Sequence, residues 1–201
     1  MATGSGYRSG VMVSPAPDHR SGWPPSTAQV EAARAGDNGH LTGIMAAGIP
    51  KLVAFYRGMG MKLPDAEDLA SDTCEALVRS FNKLRDPTRF EPWFWRIARS
   101  KFYDHLRRNR RPDQATDREE MYDNPSDTVV IADEHRAVRE AFLTLKLRDR
   151  ELLWMRDVSD LAYTDIAGRF SMSEGAIRIA VMRARQRLEV ALEHLEDESR
   201  R

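Results

Sequence analysis

The chain has 201 residues, enough for one ordinary domain or two small ones. With 31% charged residues and a mean hydropathy of −0.57, it reads as a charge-dense helical protein. No apolar run approaches the roughly 18 residues of a membrane helix, so a spanning protein is excluded. No signal pattern opens the chain, so a cytoplasmic rather than a secreted protein is expected. The single cysteine, Cys74, excludes a disulfide framework and a cysteine-based zinc site within one chain. The five histidines show no metal-ligand spacing. No grouping of nucleophile, base and orienting residue is visible, so neither an enzyme nor a cofactor is expected.

Residues 1–26 are rich in Gly, Ser and Pro and read as a disordered arm, with Trp23 its one residue suited to docking. A helix is expected from Ser26 or Thr27 through Val30 and Ala33, extending as far as Leu41 unless the Gly36–Gly39 run ends it. A second apolar stretch runs from Leu41 to Tyr56, with Pro50 marking a boundary or kink. Pro64-Asp65 then opens a helix whose stripe is Leu69, Thr73, Ala76, Leu77 and Phe81, with acids on its other face. Cys74 borders this stripe as a small packed residue. Residues 82–89 form a polar loop. The following helix, FEPWFWRIARSKFYDHLRRNRR, has Trp93, Phe94 and Ile97 on one side. Trp95, Phe102 and Leu106 lie on nearly the opposite side, with Arg99 between. Such a helix is either sandwiched in a core or offers a basic-aromatic surface that stacks unpaired bases.

The neutral total, 31 bases against 31 acids, conceals segregation. Asp65, Glu67, Asp68, Asp72 and Glu75 stand together without a base. Arg96 to Arg111 is a basic block, residues 112–134 are acidic, and Arg178, Arg183, Arg185 and Arg187 form a second basic block. Two basic patches separated by an acidic strap suit a polyanion binder. The strap has no sustained period and reads as a flexible linker between two domains. Helices resume at about Asp133, with a stripe of Val138, Ala141, Phe142 and Leu145, then a helix holding Leu152, Leu153 and Met155.

The segment LAYTDIAGRFSMSEGAIRIAVMRARQRL, residues 161–188, reads as a helix-turn-helix. Its first helix starts at Tyr163 or Thr164 and carries Ile166, Ala167 and Phe170. Ser173 caps the second, with Glu174 in the first turn. Ile177, Val181, Ala184 and Leu188 share an inward face. Gly175, Ile179, Met182, Arg183 and Gln186 face outward, flanked by Arg178. Arg178 and Arg183 suit phosphates or guanine edges, Glu174 cytosine N4, and Ile179 a thymine methyl. Arg185 and Arg187 read as solvated or phosphate-facing.

Taken together, DAEDLASDTCEALVRSF with RFEPWFWRIARSKFYDHLRRNRR (within 65–111) and LRDRELLWMRDVSDLAYTDIAGRFSMSEGAIRIAVMRARQRL (147–188) resemble the second and fourth regions of the extracytoplasmic-function (ECF) sigma factors of the sigma-70 family. The resemblance implies an all-α fold of two small helical domains. It divides the chain into an arm at 1–26, a region 2-like domain at 27–111, an acidic linker at 112–133, a region 4-like domain at 134–195 and a tail at 196–201. It implies a promoter-specificity subunit whose partners are core RNA polymerase, through the clamp coiled coil of the largest subunit and the flap, and promoter DNA. It also admits an anti-sigma partner. By position, Asp65, Asp68, Leu69, Asp72 and Glu75 would dock on polymerase. Phe81, Asn82, Lys83, Arg85, Arg89 and Phe90 would belong to the loop that captures a flipped −10 base. Trp93, Trp95, Arg96 and Arg99 would support melting, and the linker would thread the polymerase cleft. Ser173, Glu174, Ala176, Arg178, Ile179 and Arg183 would read the −35 element.

Three departures stand out. Leu145 is followed by Lys146 where the family has Pro. Ile179 and Ala180 stand where small or polar residues are usual. Ser171 replaces the turn glycine; a left-handed L-residue costs about 1 kcal/mol, which predicts a reshaped turn. The competing reading is a stand-alone helix-turn-helix regulator that binds duplex operator DNA, typically as a dimer.

Overall fold

The computed structural model describes residues 22–109 and 133–199. The arm at 1–21 and the acidic linker lie outside the described residues. Eight helices order the rest: α1 (Thr27–Arg34), α2 (Asn38–Gly58), α3 (Leu63–Ser80), α4 (Phe90–Asn109), α5 (Asp133–Thr144), α6 (Leu147–Leu153), α7 (Tyr163–Phe170) and α8 (Glu174–Ser199). No strand occurs among the described residues.

Local chemistry sets the starts. Ser26 and Gln29 form a reciprocal capping box at α1. Asp37 caps α2 through the His40 amide at 3.0 Å. Pro64 sits in the first turn of α3, as its fixed φ favours. The first helix stops at Arg34, where Gly36 takes φ +101°, short of Leu41.

Pro50 does not divide α2, which runs through it from Asn38 to Gly58. A proline costs an interior helix about 3 kcal/mol. Burial on both sides of it offsets that cost: Ile44 and Met45 before, Leu52, Phe55 and Tyr56 after, none more than 7% exposed.

In the N-terminal half, α2, α3 and α4 pack around Phe55, Tyr56, Leu69, Leu77, Phe94 and Phe102. The Tyr56 hydroxyl is fully buried, 2.7 Å from the Thr73 hydroxyl and 3.1 Å from the Ala98 carbonyl. Thr73 also reaches the Leu69 carbonyl, so the three helices share one polar knot. Desolvation holds the Tyr56 phenol well above the usual tyrosine range. Tyr56→Phe is expected to lower stability by about 1–2 kcal/mol in urea unfolding, with no change in slope.

In the C-terminal half, α5, α6 and α7 all pack on α8. Ala141, Phe142, Leu152, Ile166, Ile177, Val181 and Ala184 fill that core. After α6 the chain widens into one π-type turn, Trp154–Val158, which buries Trp154 and Met155. The two halves share a single apolar core, joined where Phe55 meets Trp154 at 5.8 Å between ring centres.

Candidate nucleic-acid interface

Three surfaces carry the residues expected to act. The first is the outer face of α3. Asp65, Asp68, Asp72 and Glu75 are all exposed there, with Glu75 loosely paired to Arg79 at 3.2 Å. Leu69 is not on this face; it is 3% exposed and packs inward. Cys74 is half-buried, and burial pushes its thiol up, as suits a packed residue rather than a nucleophile.

The second surface is the loop between α3 and α4. It consists of two 3-10 turns, Phe81–Lys83 and Pro87–Arg89. Phe81, Leu84 and Phe90 are buried and fasten the loop to the core. Asn82, Lys83, Arg85 and Arg89 are left exposed. Asp86 caps the second turn through the Thr88 amide at 2.9 Å, and those hydrogen bonds hold its carboxyl below the usual range. The result is a row of donors on a fixed aromatic base.

Beyond the loop, α4 is covered on more than one side. Trp93 and Trp95 are 7% and 4% exposed, in edge or tilted contact with Phe81 and Phe55 respectively. They take the core-packing use and present no ring to solvent. Arg96 is exposed, whereas Arg99 is turned against the C-terminal half.

That contact was not visible in the sequence. Glu151 of α6 is wholly buried; its carboxylate accepts from the Arg99 Nε at 3.1 Å and from the Tyr103 hydroxyl at 2.9 Å. Burial raises the Glu151 carboxyl, and Arg99 and Tyr103 pull it partly back. The Arg99 guanidinium also lies 5.1 Å from the Phe170 ring centre. Arg89 pairs with Asp165 of α7, and Arg169 donates to the Pro92 carbonyl. Burial lowers the Arg169 pKa to about 10. Two residues expected to face DNA, Arg89 and Arg99, are thus engaged by the other half. No local signal in the sequence marks Glu151, Asp165 or Arg169, because their partners lie on the other half.

The third surface is the start of α8. Ser173 accepts from the Ala176 amide at 3.2 Å and caps the helix. Ile177, Val181 and Ala184 are fully buried, and Leu188 packs beside them. Ile179 and Met182 are 49% and 50% exposed, with Arg183 exposed beside them. Glu174 and Arg178 pair with each other, and Arg178 lies 4.3 Å from the Tyr163 ring centre. Ala176 is half-buried on the edge of this face. Arg185 and Arg187 are tied back to the scaffold, by Asp157 and by Asp149 at 2.8 Å. They buttress the helix rather than stand free in solvent.

The turn before α8 is not reshaped. Ser171 takes the left-handed conformation itself, φ +52° and ψ +44°, ending α7 as a glycine would. Ser171→Gly is expected to raise thermal stability by about 1 kcal/mol, with −35 binding unchanged.

Comparison with known proteins agrees with this geometry. The family model for Sigma-70 region 2 matches residues 45–112, and that for Sigma-70, region 4 matches 135–188. The chain is 30% identical over 138 residues to the ECF RNA polymerase sigma factor ShbA of Streptomyces griseus, covering 63% of this chain and 71% of the relative. It is 28% identical over 169 residues to RNA polymerase sigma factor CarQ of Myxococcus xanthus, covering 83% and 97%. Among solved structures, RpoE of Bartonella quintana, in complex with the anti-sigma factor NepR, superposes with a TM-score of 0.61 at 24% identity, covering 76% of this chain and 96% of that one. CnrH, in complex with the cytosolic domain of CnrY, gives 0.61 at 22% identity, covering 84% and 97%; these two likenesses concern the fold. With a helix-turn-helix in one half, a basic loop and aromatic helix in the other, and a match to each, the chain belongs to the ECF group of sigma-70 factors, which direct promoter recognition, DNA melting and transcription initiation by RNA polymerase.

Proposed function

We propose that the three surfaces divide the work of initiation as follows. The acids of α3 dock on the clamp coiled coil of core polymerase. The loop bearing Asn82, Lys83, Arg85 and Arg89 captures an unpaired −10 base, and Arg96 and Arg99 hold the adjoining backbone. The outward face of α8 reads the −35 duplex. The protein performs no bond chemistry of its own and acts in the cytoplasm.

The supporting observation is that the loop donors and the α8 face lie on different halves, each on its own fixed base. Elements near −10 and −35 are about 25 steps apart, or about 85 Å of duplex at 3.4 Å per step. The longest helix, α8, has 26 residues and spans about 39 Å. With Arg89 against Asp165, the two surfaces are too close to serve both elements. The halves therefore part before they engage a promoter. An anti-sigma partner, of the kind bound to RpoE, would bias the same equilibrium.

Run-off transcription with core polymerase on pooled promoters tests this reading. Transcripts that require the protein and start a fixed distance below a shared pair of elements are expected. Core-independent binding of a two-half-site duplex, without transcripts, would instead establish the stand-alone regulator.

A further inference from the structure

Residues 22–44 precede the segment matched by the region 2 model, yet one of them is built into the base of the loop. The Trp23 ring lies edge-on to Phe94 at 4.7 Å and to Phe90 at 5.7 Å between centres. On the same helix as Phe90 and Phe94, the Trp95 indole N–H donates to the half-buried Glu91 carboxylate at 3.4 Å. The seat is shaped for it. A Cβ at Gly48 of α2 would stand 3.0 Å from Phe94 and 3.4 Å from Trp23, so glycine keeps the groove open inside a helix it otherwise weakens.

Phe90 carries the contact to the loop. It also meets Phe81 at 6.3 Å and Trp93 at 5.9 Å, so the two ends of the loop, Phe81 and Phe90, touch each other across this cluster. Three residues after Trp23, Ser26 caps α1, and α1 packs on the second loop turn, Pro87–Arg89. Trp23, through Phe90, and α1, through the second turn, thus brace the loop. We infer that Trp23 is a positioning residue for −10 recognition: seated on Phe90 and Phe94, it fixes the loop that presents Asn82, Lys83, Arg85 and Arg89 to the unpaired base. The inference rests on the reading that this loop takes the −10 base.

A positioning role changes selectivity, whereas a merely structural role changes the amount of active protein. The test uses the full chain with core polymerase, as wild type, Trp23→Ala and Trp23→Phe. Each is assayed on premelted templates that differ only at the unpaired −10 base. The wild type is expected to prefer one base. Trp23→Ala should reduce that preference about tenfold, the scale of one lost base contact, and Trp23→Phe should restore most of it. Affinity for core should stay within about twofold, because the α3 face is untouched.

Equal preference in wild type and Trp23→Ala would overturn the role of Trp23 alone. So would a uniform loss on all templates that follows a fall in melting temperature. A wild type without preference between templates would overturn the loop reading and this inference with it.

Discussion

Replacing Gly58 with alanine is expected to part the two halves of the molecule without unfolding either. A Cβ at this position would stand 2.8 Å and 3.0 Å from two atoms of the Trp154 ring, and 3.7 Å from Phe142. Trp154 is 3% exposed and cannot swing away. Overpacking of this kind costs about 1–3 kcal/mol, up to roughly a 100-fold change in the equilibrium between joined and separated halves. Gly58 is the last residue of α2, where alanine suits a helix better than glycine, so the N-terminal half loses nothing itself. Small-angle scattering should record a larger radius of gyration, and promoter-dependent transcription at limiting core should rise. Adding Trp154→Phe, which shortens the ring at the clash, should restore the compact form. That rescue separates a wedge from general damage.

Arg99→Met should also loosen the contact between the halves, by a different route. It leaves the Glu151 carboxylate buried with only Tyr103 as donor. Stranding a buried charge costs about 3–5 kcal/mol, so the halves separate or the carboxyl takes up a proton. Burial already raises this group above the usual glutamate range, and removing Arg99 raises it further. A raised carboxyl favours the packed arrangement below its ordinary pKa, and that contribution is lost as pH rises through the raised value. Compaction of Arg99→Met should therefore be lost on going from mildly acidic to neutral buffer. The wild type, with Arg99 in place, should show a weaker dependence of the same sign. A pH-independent radius in the variant would exclude Glu151 as the group responsible.

Much of the fold was legible because its signals are local. Ser26, Pro64 and Ser173 announce helix starts by hydrogen bonding or fixed φ within one turn. The rows Leu69–Thr73–Leu77 and Ile177–Val181–Ala184 announce buried faces by period alone. What was not legible depends on a second element. Trp93 and Trp95 suit a stacking surface as well as a core, and only the arrival of α2 and the neighbouring aromatics decides between them. Pro50 predicts a boundary or a kink, and only the apolar residues buried on both sides show that α2 continues through it. Ser171 predicts a different turn, yet packing of α7 and α8 on a common core over-determines the left-handed one. Among the site residues, the donors of the loop entered only through the family resemblance, whereas the outward face of α8 was proposed from charge and spacing. Glu151, Asp165 and Arg169 were not, because their partners lie far away in the chain.

The seat of Trp154 has an optical consequence. The protein has four tryptophans, at 23, 93, 95 and 154, and Trp154 is the only one in the C-terminal half. Its ring is buried against Phe55, and its indole N–H is among the few buried side-chain groups without a hydrogen-bond partner among the described residues. An orphaned donor of this kind costs about 1–3 kcal/mol, which water would relieve on exposure. Separation of the halves moves this indole from a dry aromatic seat into solvent and shifts its emission to the red. With the other three tryptophans replaced by phenylalanine, the emission wavelength of the free protein would follow the separation directly, with no attached dye.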